Sequence, residues 1–201
     1  HVRSRRQRQM CIRDRCSKTP DTDAIGRGVG SLAAYEDFLR KQPMPAEILP
    51  AVSVGGSLLV LGIGYGLLLA LSIAQGVGPF MSLVWLPVLV LAQIVLTFGL
   101  TLLLSMAHFL WRDVGSMVAF ALQLWFYLTP VVYPLSQVPE KFHGLFLLNP
   151  LACLVLMVQS SVLHMPVPAG TPLALVIWVV LLGGGGWWFF RSMKSALGEA
   201  L

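Results

Sequence analysis

Charged residues are scarce in this sequence, and between residues 51 and 190 there are only four: Arg112, Asp113, Glu140 and Lys141. Asp, Glu, Lys and Arg make up 11% of the 201 residues, and 56% of the residues are hydrophobic. An ordinary soluble domain has about 25% charged residues. This scarcity excludes a soluble globular protein, so the chain is predicted to be an integral membrane protein.

Cysteine is also scarce, and the sequence has no nucleotide-binding motif. Cys11, Cys16 and Cys153 form no CxxC pair, which excludes a disulfide framework or a cysteine-based metal site. The glycine run at residues 26–30 has no GK[ST] after it and is therefore not a phosphate loop. We predict no metal and no cofactor.

The positive charge is concentrated at the amino end of the chain. Residues 1–15 carry six Arg and one Asp, which equals the formal net charge of +5 for the whole chain. Within them the letters MCIRDR resemble a translated sequencing-adaptor end, so we interpret residues 1–15 as non-native and leave them out of the fold prediction. The alternative is a basic arm that contacts anionic lipid or nucleic acid; without that arm, no nucleic-acid partner is predicted.

Four apolar stretches are long enough to cross a bilayer, which takes about 20 residues. They are residues 51–77, 79–110, 114–133 and 173–190. A fifth apolar stretch, residues 145–163, is interrupted near its start by Asn149 and Pro150. Because proline disfavours helix in the residue before it, this stretch is predicted to be broken.

The positions of the basic residues indicate that the fifth stretch does not cross. If it turns back, Arg40, Lys41, Arg112, Arg191 and Lys194 all lie on one face of the membrane. The positive-inside rule favours that arrangement. The predicted fold is therefore an all-α polytopic membrane bundle with four transmembrane helices and a re-entrant outer helical pair over residues 140–165. An outer loop with an amphipathic helix lying on the lipid surface is the alternative.

Three motifs occur in a fixed order along the chain. The first is FLRKQPMPAEILP, at residues 38–50; the second is WRDVGSMVAFALQLWFYLTPVVYPLSQVPEKFHGLFLLNPL, at residues 111–151; the third is RSMKSALGEAL, at the carboxyl end. Over residues 24–201 the chain resembles the permease subunit of ATP-binding-cassette exporters of polysaccharides, which move O-antigen, capsule and teichoic-acid polymers.

The resemblance implies an architecture and a set of partners. Permeases of this family have six spans, so the chain is expected to be an N-terminally truncated member that supplies the last four. They work in the bacterial inner membrane as dimers with two ATPase subunits, which bind the ATP. The expected partners are thus an ATPase, a second copy of the permease, membrane lipid and a glycan substrate. Residues 16–50 and 192–201 are expected in the cytoplasm.

The resemblance also implies a docking element for the ATPase in residues 38–50. Prolines stiffen this short segment, and its charges suit a polar, reversible interface. The residues 24–39 before it are predicted to form an amphipathic helix. A juxtamembrane linker is an equally good reading of the spacing alone. With the second cytoplasmic turn included, the predicted docking residues are Arg40, Lys41, Pro43, Pro45, Glu47, Arg112 and Asp113.

The second cytoplasmic turn, HFLWRDVG at residues 108–115, holds a histidine and an aspartate. His108 and Arg112 are four residues apart and share a helix face, and Asp113 is placed to cap the next helix. A catalytic His–Asp pair would need a nucleophile or metal partner nearby, which the sequence does not offer. Turn-forming and interfacial roles are therefore preferred.

A cluster of aromatic and amide residues ends the third predicted span. Aromatic rings stack on sugars, and the resemblance suggests a polysaccharide channel here; the alternative is the aromatic belt of a membrane interface. Trp125 and Tyr127, two residues apart, must face away from each other. We expect prolines to end this span and Asn149-Pro150 to start the second outer helix. The predicted channel and gate residues are Gln123, Trp125, Phe126, Tyr127, Pro130, Tyr133, Pro134, Asn149 and Pro150.

Glycines mark two of the spans. The GxxxG spacing at residues 62–66 and the four glycines at residues 183–186 permit close contact between helices, for which packing within the chain is the preferred use. Two other functions stay open beside the exporter: a membrane-embedded enzyme or scaffold of envelope assembly, and an exporter permease for lipid or drug. Such an enzyme typically displays clusters of His, Asp or Glu, whereas the predicted spans contain no acidic residue.

Overall fold

A computed structural model describes residues 20–31, 48–74, 79–111, 113–129, 138–139, 143–163 and 166–200. In that part of the chain the regular structure is entirely helical. The prediction of an all-α membrane bundle is confirmed.

The helices follow the order of the predicted segments. The first six are α1 (Pro20–Val29), α2 (Ile48–Ala74), α3 (Pro79–Leu110), α4 (Val114–Leu128), α5 (His143–Phe146) and α6 (Pro150–Leu163). A last long helix consists of α7 (Thr171–Trp178), a π-helical segment (Val179–Gly184) and α8 (Gly185–Ala200).

Among the residues that the structure describes, three helical stretches are long and apolar enough to cross a membrane. They are Ile48–Ala70, Trp85–Leu110 and Thr171–Met193. The 15 residues of α4 make a helix about 22 Å long, shorter than the roughly 30 Å of a bilayer's hydrocarbon core. Residues 130–133 of the predicted third span lie outside the described part of the chain. That third crossing, and hence the count of four, stays a prediction.

Helix α3 is the centre of the bundle and contacts α1, α2, α4, α6 and the last helix. From near its amino end to its middle, Leu86, Leu89 and Leu96 pack with Leu154 of α6 and Leu175 of α7. Near its carboxyl end Leu102 and Met106 pack with Phe190 of α8. Because both ends of α3 contact the last helix, the two helices run alongside each other over most of their length.

One face of α3 is polar and buried. Gln93, Thr97, Thr101 and Ser105 recur every fourth residue along it, and each is buried. The Thr101 hydroxyl donates to the Thr97 carbonyl at 2.6 Å, and Gln93 accepts a hydrogen bond from Tyr65 of α2. Since lipid offers polar groups no partner, these internal hydrogen bonds allow hydroxyl and amide groups to lie at membrane depth.

Helix α1 lies against α2, α3 and α4. Ile25 and Val29 are buried with Val118 and Leu122 of α4, whereas Arg27 is exposed. An amphipathic helix was predicted for residues 24–39, and α1 has the expected apolar face. The glycine-containing face of α1 packs inside the bundle, whereas the same face of a surface helix would be exposed. Residues 32–39 lie outside the described part of the chain.

The glycines of the last helix lie where it crosses α3. A Cβ atom added to Gly186 would overlap the Gly99 carbonyl oxygen, and one added to Gly183 would lie 2.5 Å from Val95 Cγ1. This run therefore serves packing within the chain. Gly62 and Gly66 of α2, by contrast, have no described atom within 4 Å of an added Cβ.

Candidate functional site

The candidate site is the outer helical pair, α5 and α6, with the turn between them. Helix α5 ends at Phe146 and α6 begins at Pro150, so the helix breaks at the predicted Asn149-Pro150. Proline suits the first position of a helix, because the N–H it lacks would have no partner there. The turn, residues 147–149, lies beside the end of α4 and beside the last helix.

Asn149 joins this turn to the end of α4. Its side-chain oxygen accepts hydrogen bonds from the backbone N–H groups of Leu151 at 3.0 Å and Ala152 at 3.3 Å, which caps α6. Its amide nitrogen donates to Thr129 Oγ1 at 3.2 Å, and both side chains are buried. The Thr129 hydroxyl in turn donates to the Trp125 carbonyl at 2.8 Å. The cap of one helix and the end of another therefore share a single polar network.

Trp178 joins the same turn to the last helix. Its indole N–H donates to the Leu147 carbonyl oxygen at 3.0 Å. Trp178 follows Thr171, the start of α7, by seven residues, which corresponds to roughly 10 Å along a helix. The turn therefore lies at a level inside the span of the last helix.

The thiol of Cys153 lies under the turn. It is fully buried, and its sulfur is 3.5 Å from the Phe146 carbonyl oxygen and 3.7 Å from that of Leu147. The Phe146 carbonyl also accepts the backbone N–H of Asn149 at 3.1 Å. The carbonyl groups that a broken helix leaves without helical partners are thus satisfied locally.

The structure separates the predicted channel residues of α4. Gln123 and Tyr127 are exposed, whereas Trp125 is half-buried against the cluster formed by α1 and α4. Trp125 and Tyr127 thus face different surroundings, as their spacing requires. The side chain of Phe126 and all of Pro130, Tyr133 and Pro134 lie outside the described part of the chain. A channel role for these residues stays a prediction.

Most of the predicted docking residues cannot be placed. Arg40, Lys41, Pro43, Pro45, Glu47 and Arg112 lie outside the described part of the chain. Asp113 is exposed immediately before α4, and its backbone carbonyl accepts the N–H of Met117 at 3.3 Å. In the same turn, the N–H of Gly115 donates to His108 Nδ1 at 3.1 Å. His108 therefore has a turn-forming contact, and the docking roles stay predictions.

The prediction of site residues missed Thr129 and Trp178. Thr129 directly precedes a proline at the end of an apolar helix, where a hydroxyl can satisfy a terminal carbonyl. Trp178 reads as one more aromatic residue of an apolar span, because its partner is a backbone carbonyl 31 residues away. A search for polar groups at helix ends would have found the first but not the second.

An open groove of about 280 Å³ lies between α3 and the last helix. The described side chains that line it include Trp85, Leu91, Met157, Val176 and Val180, and no Ser, Thr, Asn, Gln or charged residue is among them. A sugar would find few hydrogen-bond partners there, so the groove suits a hydrocarbon chain and not a glycan. Among the residues that the structure describes, no three His, Cys, Asp or Glu lie together.

Comparison with known proteins gives relatives of one kind. The O-antigen export system permease protein RfbA of Myxococcus xanthus is 33% identical over 181 residues, which cover 89% of this chain and 70% of that protein. A permease of the same name from Klebsiella pneumoniae is 28% identical over 127 residues, and the chain spans about half of its length, 49%. No family model matches the chain. On the strength of the Myxococcus relative and the helical membrane bundle, the chain belongs to the family of O-antigen export system permease proteins.

Proposed function

We propose that this chain is the permease part of an ATP-driven ABC transporter that exports a polysaccharide or a lipid-linked glycan across the bacterial inner membrane. The observation that carries the proposal is the 33% identity to an O-antigen export permease over 89% of the chain. The apolar helices and the interrupted outer pair support it. ATP is bound by a separate ATPase subunit, and a second copy of the permease completes the membrane path.

The outer helical pair is the gate of this path. Broken helix at membrane depth is tolerated where protein or a water-filled cavity surrounds it. The turn at residues 147–149 meets that condition, because Asn149, Thr129 and Cys153 are all buried around it. Gln123 and Tyr127, which are exposed on α4, are the described side chains best placed to meet a sugar.

The cytoplasmic side engages the ATPase through residues 38–50 and the turn that joins α3 to α4. Exposed Asp113 and the charges Arg40, Lys41 and Glu47 offer a polar interface of the kind that forms and separates repeatedly. In a pull-down of the ATPase with the full-length permease, Glu47→Arg is expected to weaken association. Unchanged association together with unchanged transport would remove this element from the interface.

Export of the polymer tests the main proposal. Cells that lack the gene are given the full-length permease, together with either the active ATPase or a variant that binds but does not hydrolyse ATP, and surface polymer is measured by immunoblot. Polymer is expected at the surface only with the active ATPase. Export that persists with the inactive ATPase would overturn the proposal.

The same cells separate the alternative functions. An enzyme or scaffold of envelope assembly would change the structure or the amount of the polymer inside the cell, without dependence on ATP hydrolysis. A permease for lipid or drug would leave polymer export unchanged when its gene is deleted. Accumulation of finished polymer on the cytoplasmic side in the deletion strain favours the glycan exporter over all three.

A further inference from the structure

Two hydrogen bonds fix the same three-residue turn from opposite sides. Asn149 Nδ2 donates to Thr129 Oγ1 at the end of α4, at 3.2 Å, and Trp178 Nε1 of the last helix donates to the Leu147 carbonyl oxygen at 3.0 Å. Leu147 and Asn149 are two residues apart, so both hydrogen bonds act on the turn between α5 and α6. A lid attached only through its connecting loops would have neither.

The Asn149–Thr129 contact is buried, and the Trp178–Leu147 contact is partly buried. Thr129 is 3% exposed and Asn149 is 7% exposed, and the Trp178 ring packs beside the cluster formed by α3, α6 and α7. A buried polar group that loses its partner is costly, because neither lipid nor protein replaces the hydrogen bond. Each hydrogen bond therefore holds the turn to one helix, the first to α4 and the second to the last helix.

We infer that Thr129 and Trp178 are positioning residues that tie the outer helical pair to α4 and to the last helix, so that the pair moves with these helices and not as an independent lid. We call these two attachments of the turn, through Thr129 and through Trp178, the joint. The role of the joint in opening an exit path rests on the proposed function, whereas the two attachments themselves do not. Both helices lead to the cytoplasmic side in the predicted topology. A rearrangement that starts at the ATPase would thus reach the turn through them.

The native thiol of Cys153 reports whether the turn is held. In the full-length protein, with every cysteine other than Cys153 replaced by Ser, Cys153 is labelled with a membrane-permeant maleimide. Thr129→Val keeps the shape of the side chain and removes the hydroxyl that accepts from Asn149 and donates to the Trp125 carbonyl. Trp178→Phe removes the hydrogen bond to the Leu147 carbonyl and keeps an aromatic ring of smaller size. We expect labelling to rise about fivefold for each variant and roughly 25-fold for both together, as expected for hydrogen bonds of ordinary strength.

Conservative variants provide the controls. Thr129→Ser keeps the hydroxyl, and Trp188→Phe changes a tryptophan of the last helix that is 70% exposed; both are expected to label like the wild type. Only the monodisperse fraction from size exclusion is counted, which removes misfolded protein. As a measurement without any variant, hydrogen exchange of residues 150–154 is expected to be at least tenfold slower than that of the connection at 166–170.

A leak assay links the joint to the gate. Entry of o-nitrophenyl galactoside is followed in cells that have β-galactosidase but no lactose permease, and the double variant is expected to raise it several-fold while Thr129→Ser does not.

Labelling of the double variant within twofold of the wild type, or equal exchange in the two segments, would overturn the joint. If labelling increases but no leak follows, the joint has a packing role only, and its gating role is overturned. Failure of polymer export in the wild type would overturn the proposed function and leave the labelling result valid.

Discussion

His108, near the end of α3, accepts a hydrogen bond at Nδ1 from the backbone N–H of Gly115 in the first turn of α4, at 3.1 Å. The two residues are seven apart, and the chain reverses direction between them. A first-turn N–H of a helix has no helical partner, so the imidazole satisfies a group that would otherwise need a cap. The histidine thus closes the turn between two helices that are both predicted to cross the membrane.

Gly115→Ala is expected to disrupt this turn. An added Cβ would lie 2.7 Å from His108 Cε1, so the ring must move and the hydrogen bond is lost. Overpacking of this kind costs about 1–3 kcal/mol, which exceeds the gain of up to about 1 kcal/mol from replacing glycine in a helix. The melting temperature in detergent should therefore fall.

The cause can be isolated with two further variants. Gly64→Ala in α2, where an added Cβ has no described atom within 4 Å, should not lower the melting temperature. If the clash is the cause, Gly115→Ala should add little further loss when it is made in a His108→Ala background. Equal losses from Gly115→Ala in the two backgrounds would contradict this account.

Gly186→Ala is expected to be among the most damaging glycine substitutions in the last helix. The added Cβ would overlap the Gly99 carbonyl oxygen, and a backbone atom cannot rotate away as a side chain does. The last helix and α3 must then separate, at a cost of about 3 kcal/mol or more. Gly185→Ala, one residue earlier and open to the added atom, is the matched control. Equal melting temperatures for the two variants would refute the close crossing.

The packing of α1 in the bundle can be tested by removing one contact and then restoring it. In Gly28→Ala the added Cβ would overlap Thr101 Cγ2, whereas at Gly26 it meets no described atom within 4 Å. Gly28→Ala should therefore lower the melting temperature by several degrees and Gly26→Ala should not. Thr101→Ser removes the methyl group and keeps a hydroxyl for the Thr97 carbonyl, so it should restore much of the loss. No restoration would show that α1 does not sit against Thr101.

The long apolar helices were readily predicted because their signal lies within the segment itself. Helix α3, Pro79–Leu110, has the bounds predicted for the second span, since it begins at a proline and ends just before Trp111 and the charged residue Arg112. The break at residues 149–150 was predictable for the same reason, because asparagine and proline are both residues that start helices.

Contacts between distant segments were not predictable from those local signals. Helix α1 reads as an ordinary amphipathic surface helix, and its place in the bundle depends on whether Thr101, more than 70 residues away, faces a glycine. The partners of the turn, Thr129 and Trp178, belong to separate helices with apolar neighbours. The docking residues 40–47 were predicted from a resemblance, and their placement lies outside the described chain.

Asn149→Ala is expected to disturb the outer pair more than Pro150→Ala. The asparagine side chain caps the N–H groups of Leu151 and Ala152 and also donates to Thr129. Its loss removes a cap that contributes about 1–2 kcal/mol and takes a partner from a buried hydroxyl. Pro150→Ala leaves all three hydrogen bonds in place, and alanine is a good helix former at the first position.

The comparison of these two variants decides which residue sets the helix break. Asn149→Ala should lower the melting temperature and raise Cys153 labelling strongly, whereas Pro150→Ala should change both only a little. Asn149→Ser should lie between them, because serine can still cap the helix but is too short to hold Thr129 in the same way. In export, the order of the three variants should be the same. If Pro150→Ala proves as damaging as Asn149→Ala, the break depends on the proline ring and not on the polar network. The outer pair would then be positioned by backbone stiffness, and the hydrogen bonds to α4 would be a consequence of that position and not its cause.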